Sequence, residues 1–424
     1  MFRSISAIAA LLFAAAILYA GNGLQSTLLS VRGDIEGFPT TVIGLLASAY
    51  YAGFILGCRL VPGMIQGVGH IRAFVALASI ASSSALAHIL FVEPIAWGGL
   101  RFITGFSFAG LTMVLESWIN ERATNENRGK ILSVYRIVDL GAVTIGNGLL
   151  AIAPPEGFQL FVLVSILISI ALVPVALTRS SSPAPLETAK LDIVQLYKVS
   201  PVGAIGAAAT GLANAAFWGM APVYVQELGY GAAAIAAFMS TAIIGAGLFQ
   251  FPTGWLSDKI DRRMVIFASS LLGTGASALL ATFAGLSENA MLGFSFLFGA
   301  FIIPVFGICC AHANDHAQVG KAVATSGGLL LLYGVGSVVG ALVGALVMSA
   351  FEPAALFWYI AGVYLVLAVF TLLRIGIKRR PRIIGKKSRY IPMAKSPLTR
   401  VYRKRAKSQG KDPAKNAPKA EPKT

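Results

Sequence analysis

The chain has 424 residues, 56% hydrophobic and 12% charged, where soluble domains carry about 45–50% and about 25%; this excludes a soluble globular enzyme or binding module. The formal charge of +16 does not point to nucleic acid, because residues 376–424 hold 17 Lys/Arg against Asp412 and Glu421, a net +15 that leaves residues 1–375 at +1. Cys58, Cys309 and Cys310 form neither a disulfide framework nor a metal-ligand or redox spacing.

A helix needs about 20 mostly apolar residues to cross a hydrocarbon core of about 30 Å. In chain order such runs fall at 5–29, 41–62, 73–92, 96–118, 130–152, 158–178, 202–225, 232–256, 264–285, 290–311, 323–350 and 354–375, twelve spans in all. The first has Arg3 ahead of an apolar run with small residues at Ala14, Ala15, Ala16 and Ala20, as a secretory signal would. Its apolar stretch is longer than an h-region of about 7–15 residues and another span follows at once, so it is expected to stay as a helix. The polar stretch 179–200, opened by Ser180, Ser181, Ser182, Pro183 and Pro185, splits the spans six and six. The expected organisation is an all-α integral membrane protein: an N-terminal six-helix bundle (1–178), a cytoplasmic linker (179–200), a C-terminal six-helix bundle (201–375) and a basic tail (376–424). The tail, rich in proline, is expected to be disordered and to hold the C-terminus against anionic lipid.

Orientation follows from Lys and Arg, which cytoplasmic loops retain. Arg3, Arg59, Arg72, Arg122, Arg128, Lys130, Arg136, Arg179, Lys190, Lys198, Lys259, Arg262, Arg263, Lys321 and Arg374 fall on the side of the two termini, with the tail, whereas the loops opposite have Arg32 among acids such as Asp34, Glu36, Glu227 and Glu352. Both termini are expected to be cytoplasmic.

The chain repeats internally. A shift of 192 residues lays Asn22 on Asn214, Gly37 on Gly229, Phe38 on Tyr230 and Gly53 on Gly245; a shift of 194 lays Gly105 on Gly299, Asn120-Glu121-Arg122-Ala123 on Asn314-Asp315-His316-Ala317, and Gly146 on Gly340. Six spans per repeat put both halves in the same orientation, a parallel repeat about an axis along the membrane normal, with two bundles meeting around a central cavity.

Gly254-Trp255-Leu256-Ser257-Asp258-Lys259-Ile260-Asp261-Arg262-Arg263 is similar to the loop motif between spans eight and nine of the major facilitator superfamily, with matches at Gly254, Leu256, Asp258, Lys259, Arg262 and Arg263. Arg101-Phe102-Ile103-Thr104-Gly105 is similar to that family's fourth-span motif, and the resemblance covers about residues 5–375. The equivalent first-half loop departs from the pattern, with Gln66 in place of aspartate and His70 in place of a base, and the region from Gly141 to Gly148 lacks the antiporter proline. Glu116-Ser117-Trp118 followed by Asn127-Arg128-Gly129 resembles a branch of bacterial members whose substrates are unassigned. The resemblance implies a bacterial inner-membrane transporter in which Asp258, Lys259, Arg262 and Arg263 form a conformational gate.

Charges inside spans are expensive and mark functional positions. There are four, Arg101, Glu116, Arg136 and Asp139; their repeat partners are Ser295, Cys310, Leu330 and Tyr333, so the ionisable chemistry lies in the first half. Asp139, about ten residues into its helix, lies roughly 15 Å deep at 1.5 Å per residue and is the foremost proton-coupling residue. Arg136, three residues earlier on the same face, is its expected ion-pair partner, although such a pair serves equally as a structural device. Glu116 is a further proton-coupling candidate, or a contact to a basic gate residue.

Asn22 and Gln25 share a face of the first span, Asn214 and Trp218 a face of the seventh, and these spans line the cavity in the family that the chain resembles. With Arg101 and Tyr333 they are the substrate-cavity candidates; the amides serve alternatively as packing contacts, and Arg101 alternatively snorkels to headgroups. His312, Asp315 and His316 have a spacing that could hold a metal on one helical turn, but a polar helix cap is the expected role, and no metal or cofactor is expected. His88 reads as a packed imidazole, and Gly336, Gly340 and Gly344 form a small-residue stripe for close packing or for sliding.

No Walker-type loop, GxSxG elbow or HExxH is present, which leaves ATP coupling and embedded hydrolysis without a motif. The expected function is secondary transport of a small solute, with Asp139 as the basis of proton coupling and a monomer sufficient for the fold. The alternatives are a receptor or sensor on the same fold and a lipid-moving facilitator.

Overall fold

The computed structural model describes residues 2–122, 128–177, 193–317 and 322–377, which form helices and no strand. They are α1 (Phe2–Ile35), α2 (Thr40–Val68), α3 (His70–Leu90), α4 (Pro94–Arg122), α5 (Arg128–Gly148), α6 (Gln159–Ile170), α7 (Leu172–Ala176), α8 (Ile193–Val199), α9 (Pro201–Glu227), α10 (Ala232–Lys259), α11 (Arg262–Phe283), α12 (Glu288–Ile302), α13 (Val305–His316), α14 (Ala322–Ala350) and α15 (Ala355–Gly376). The pairs α6/α7 and α12/α13 each make one span, the second interrupted at Pro304, which has no N–H to continue the ladder. Twelve spans result. Residues 178–192 of the linker region and 378–424 of the tail lie outside the described residues, as does the disorder expected of that tail.

Eleven of the spans are long and apolar enough to cross a membrane by themselves. The twelfth, α9, is rich in Ala and Gly, and 20 of its 27 residues are buried. A helix surrounded by other helices has no lipid to face, so its sequence is free of the demand for bulky apolar side chains. Several helices run past their expected ends, furthest α1 to Ile35 rather than 29 and α2 to Val68 rather than 62, then α13 to His316 rather than 311 and α4 to Arg122 rather than 118. Pro62 reads as a terminator in sequence, yet it sits inside α2, where neighbouring structure tolerates the lost hydrogen bond.

The repeat is visible atom by atom. Helix α1 ends on Gly37 at φ +75° and α9 on Gly229 at φ +86°, a left-handed conformation that glycine adopts without strain. The hydrogen bonds around them correspond: Glu36 N to Arg32 O, Gly37 N to Asp34 O and Phe38 N to Gly33 O in one half; Leu228 N to Tyr224 O, Gly229 N to Gln226 O and Tyr230 N to Val225 O in the other. Helices α2 and α4 cross so closely that a Cβ at Gly53 would lie 1.9 Å from Phe102 O and one at Gly105 1.9 Å from Tyr50 O; α10 and α12 cross with the same clearance at Gly245 (2.1 Å from Phe296 O) and Gly299 (1.8 Å from Ala242 O). The α1–α5 and α9–α14 crossings repeat likewise, at Gly146 against Ala20 O and Gly340 against Leu212 O.

Such backbone-on-backbone contacts cannot yield as a flexible side chain would. Gly105→Val and Gly299→Val are each expected to remove most of the monodisperse protein recovered in detergent, the cost lying at or above the top of the roughly 1–3 kcal/mol typical of overpacking. Gly63→Val, where a side chain meets open space, should leave the yield unchanged.

Within each half the fifth and sixth spans flank the first, and the fourth lies between the second and third. The halves meet through two symmetry-related pairs, α2 with α14 and α5 with α10, and through α1 with α9 near the axis. On the side opposite the chain ends the first of these pairs is tight: a Cβ at Gly44 would lie 2.2 Å from Ala345 Cβ, and Ser48 Oγ donates to Val338 O at 2.7 Å. The Gly336, Gly340, Gly344 stripe instead packs α14 on α9, against Ala208, Leu212 and Ala216, inside the second half. Helix α8 anchors there too, with Leu196 buried among Ala204, Ala207, Cys310, Ala313 and Leu329.

Candidate functional site

A cavity of about 40 Å³ opens between the halves, in the part of the bundle away from the chain ends. Helix α1 contributes Ser26, Leu29 and Ser30, α2 contributes Ile43, Leu46, Ala47, Tyr50 and Tyr51, α4 contributes Arg101, and α9 contributes Trp218 and Gly219. Both halves therefore build its wall. Ser30 Oγ donates across the boundary to Gly219 O at 2.8 Å, and Gly219 lets α9 approach Ala47, whose Cβ lies 2.8 Å from where a Cβ would stand.

Arg101 sits seven residues into α4, about 10 Å along the axis, and is only 6% exposed. Snorkelling is thus overturned: the guanidinium lies over the Tyr50 ring, 4.5 Å from its centroid, rather than reaching outward to headgroups. Its Nη1 is buried without a hydrogen-bond partner, and no carboxylate pairs with it among the described residues. Tyr50 in turn donates to Asn22 Oδ1 at 3.4 Å. Gln25 is buried with neither amide atom bonded, while Asn214 hydrogen-bonds Tyr333, which packs on Phe306. Of the six cavity candidates, Arg101 and Trp218 line the described cavity; Asn22 joins it through Tyr50.

Nearer the chain ends, Arg136 Nη1 and Asp139 Oδ2 are 2.5 Å apart, with Asp139 almost wholly buried. Arg136 also reaches across to the second half, its Nε 3.5 Å from Gln250 Oε1 on α10. Beside this pair the Tyr19 and Tyr135 hydroxyls meet at 2.5 Å, and Tyr135 donates to Glu116 Oε1 at 3.3 Å. Tyr19 feels the charge of both Glu116 and Asp139. Two buried carboxylates and two phenols thus form one polar cluster in the first bundle.

The loop residues make a brace at the end of the second bundle. Arg262 is 2% exposed; its Nε bonds Asp315 Oδ2 at 2.7 Å, its Nη2 lies 3.0 Å from Asp258 Oδ1, and its Nη1 donates to Ser257 Oγ at 2.8 Å. This ties α10, α11 and α13 together. Arg263 adds α15 through Arg374 O at 3.0 Å, and Lys259 stands 3.8 Å over the Trp255 ring. In the first half His70 occupies the position of Arg262 and stacks on Trp118, the repeat partner of His312. Aromatic contact replaces the ion pair where the motif departs from the family pattern.

Asp315 is committed to Arg262, and His316 Nδ1 to His312 O at 2.8 Å; no cluster of metal ligands occurs among the described residues. His88 is packed between Trp97 and Phe161, with Nδ1 at 2.6 Å from Ser84 O.

Asp261 caps α11 by accepting from Arg263 N at 3.0 Å. Partial burial works against its ionisation, but the side-chain and backbone hydrogen bonds from Arg263 outweigh it and hold the carboxyl below its ordinary value. A depressed folded pKa contributes stability that is present above the unfolded value and is lost as pH falls through the folded one. Asp261→Ala is therefore expected to cost about 1 kcal/mol at neutral pH, and thermal scans of variant and wild type should converge as the pH drops below the normal carboxylate range.

Tyr50 and Tyr51 in the cavity and Tyr19 and Tyr135 in the polar cluster are not singled out by sequence, because an uncharged tyrosine in an apolar span carries no cost that marks it. The available signals are Tyr19, three residues before Asn22 on α1, and Tyr135, next to Arg136.

The sequence model of the Major Facilitator Superfamily matches residues 203–410. An uncharacterized MFS-type transporter, YcaD of Escherichia coli, is 26% identical over 348 residues, covering 82% of this chain and 90% of the relative. Among solved structures, the nucleoside transporter NupG superposes with a TM-score of 0.74 at 15% identity, over 87% of this chain and 99% of that one. The fucose:proton symporter FucP of E. coli superposes with a TM-score of 0.54 at 13% identity, over 88% and 99%.

Proposed function

We infer that this solute transporter of the major facilitator superfamily works by alternating access, the two bundles tilting about the α1–α9 axis so that the cavity opens to one side and then the other. The observation that carries this reading is the cavity wall itself, built from both halves and closed away from the chain ends by the α2–α14 packing. Relative movement of the halves would open it, and contacts as small as Gly44 against Ala345 can separate without unlocking bulky side chains.

Arg136 and Asp139 are the proton-coupling residues in this reading, and Glu116, reached through Tyr135 and Tyr19, is a second station toward the chain ends. Burial works against the Asp139 anion while Arg136 works for it. Because Arg136 also contacts Gln250 of the other half, separation of the bundles would change that balance. That a fucose:proton symporter shares the fold supports such coupling. The loop of Asp258, Lys259, Arg262 and Arg263 would act as a gate through the second bundle, since its described bonds all lie within that bundle.

The bacterial relatives support a place in the inner membrane. With cytoplasmic termini, the α2–α14 closure faces the periplasm. A single cysteine at the C-terminus should be labelled only in inverted vesicles; labelling in intact cells overturns this orientation.

The deciding experiment loads purified protein into vesicles and measures uptake of a solute panel under an imposed proton gradient. Gradient-driven accumulation of a panel member supports the reading. Saturable binding without flux would make the protein a receptor, and movement of labelled lipid alone a lipid facilitator.

A further inference from the structure

We propose that Arg101 is the anchor for the carboxylate of a small organic anion, seated in the cavity between Tyr50, Tyr51 and Trp218. The proposal rests on reading that cavity as the solute site, and adds the chemistry of what enters it.

The argument starts from an unbalanced charge. Arg101 is 94% buried by the complement of its 6% exposure, and Nη1 has no acceptor. Among the described residues it stacks on the face of Tyr50, which offers electron density but no negative charge. A buried cation without a counter-ion is a strained ground state. By contrast the two other buried arginines are paired: Arg262 has two carboxylates within 3.0 Å, and Arg263 lies 2.8 Å from Asp261 Oδ2. Each cation's setting is as its role requires: the brace is neutralised in place, and Arg101 is left open to an arriving anion.

Cavity size and wall chemistry define the anion further. About 40 Å³ holds roughly three waters, enough for a planar carboxylate head but not for a whole metabolite. The guanidinium fork matches a carboxylate in two parallel hydrogen bonds. Around it Tyr50, Tyr51 and Trp218 give aromatic surface for an apolar body, while Ser26 lies on the same wall as a hydroxyl donor. Closure of α2 on α14 would then exclude water and strengthen the pairing.

The test is thermal unfolding of the full-length protein in detergent with acetate as probe. The controls are acetamide as its neutral counterpart and chloride at equal ionic strength, with benzoate and inorganic phosphate as larger anions. Acetate and benzoate should raise the melting temperature with concentration, by mass action on the folded state, while acetamide and chloride should not. Arg101→Gln should weaken the acetate response by about tenfold or more, since the charge and the paired hydrogen bonds of the fork are lost together. The same substitution should hold or raise the melting temperature without ligand, since it removes an unpaired buried charge; a merely structural arginine would lower it. Arg101→Lys, which keeps charge but not the fork, should retain a reduced response, and it decides the matter if the glutamine variant does not fold.

Equal stabilisation by acetamide, an undiminished acetate response in Arg101→Gln, or no response to any carboxylate overturns the proposal. Phosphate acting alone overturns the carboxylate assignment. Because binding is read without flux, carboxylate binding in a protein that moves nothing would overturn transport and leave the anchor standing. Flux of neutral solutes only would do the reverse.

Discussion

Asp139→Asn is expected to reduce solute accumulation to the level reached with no proton gradient, while exchange of solute across the vesicle membrane continues. The carboxylate is nearly fully buried, 2.5 Å from Arg136, and desolvation and ion pairing push its protonation in opposite directions. If Asp139 carries the coupling proton as proposed, a shift in its surroundings would move the proton on or off it, and Arg136, 3.5 Å from Gln250 of the other half, is the contact through which that shift would arrive. Asparagine keeps the volume and hydrogen-bonding capacity but holds no exchangeable proton at this step. The measurement is concentrative uptake against counterflow in the same vesicles. Arg136→Gln should be the more damaging single change to folding, because it strands a buried carboxylate at a cost of about 3–5 kcal/mol. The Arg136→Gln, Asp139→Asn double variant separates the two roles: if it still concentrates solute, the pair only neutralises itself and coupling lies elsewhere.

Arg262→Gln is expected to be the most destabilising substitution at the end of the second bundle. It would leave Asp258 and Asp315 without their shared cation, and Asp315 is 3% exposed at its side chain. Removing one member of a buried pair costs about 3–5 kcal/mol, here with Ser257 Oγ also losing its donor. Recovery of monodisperse protein should fall sharply. Combining Arg262→Gln with Asp315→Asn should restore much of it, and Asp258→Asn alone, at a side chain 27% exposed, should cost far less stability while reducing flux if the loop gates access. Unchanged flux with Asp258→Asn would leave the loop as a brace only.

Much of the architecture is legible in the sequence because hydropathy is a local property. The number of spans follows from runs of apolar residues, and the parallel repeat from glycines that recur at near-constant offset. Three of those pairs, Gly53/Gly245, Gly105/Gly299 and Gly146/Gly340, prove to be positions where backbones touch, and the fourth, Gly37/Gly229, ends a helix at positive φ, so backbone geometry had limited the residue choice at both members of each pair. The span ends at 29 and 62 are misread for a related reason: polar residues and Pro62 interrupt the apolar pattern without interrupting the helix, since the helix outruns the hydrocarbon core.

The sequence by itself determined the membrane class, the twelve spans, the repeat and the four charges within spans, and even the Arg136–Asp139 contact, because residues three apart on a helix must be neighbours. Tertiary structure alone decided which residues meet across helices. Tyr50 lies under Arg101, Tyr135 reaches Glu116 and Arg262 reaches Asp315 because of how α2, α4, α5, α11 and α13 are rotated and offset against one another. That geometry is set by packing summed over many side chains, and no single run of sequence carries it. It left Arg262 and Arg263 paired with carboxylates and Arg101 facing a cavity.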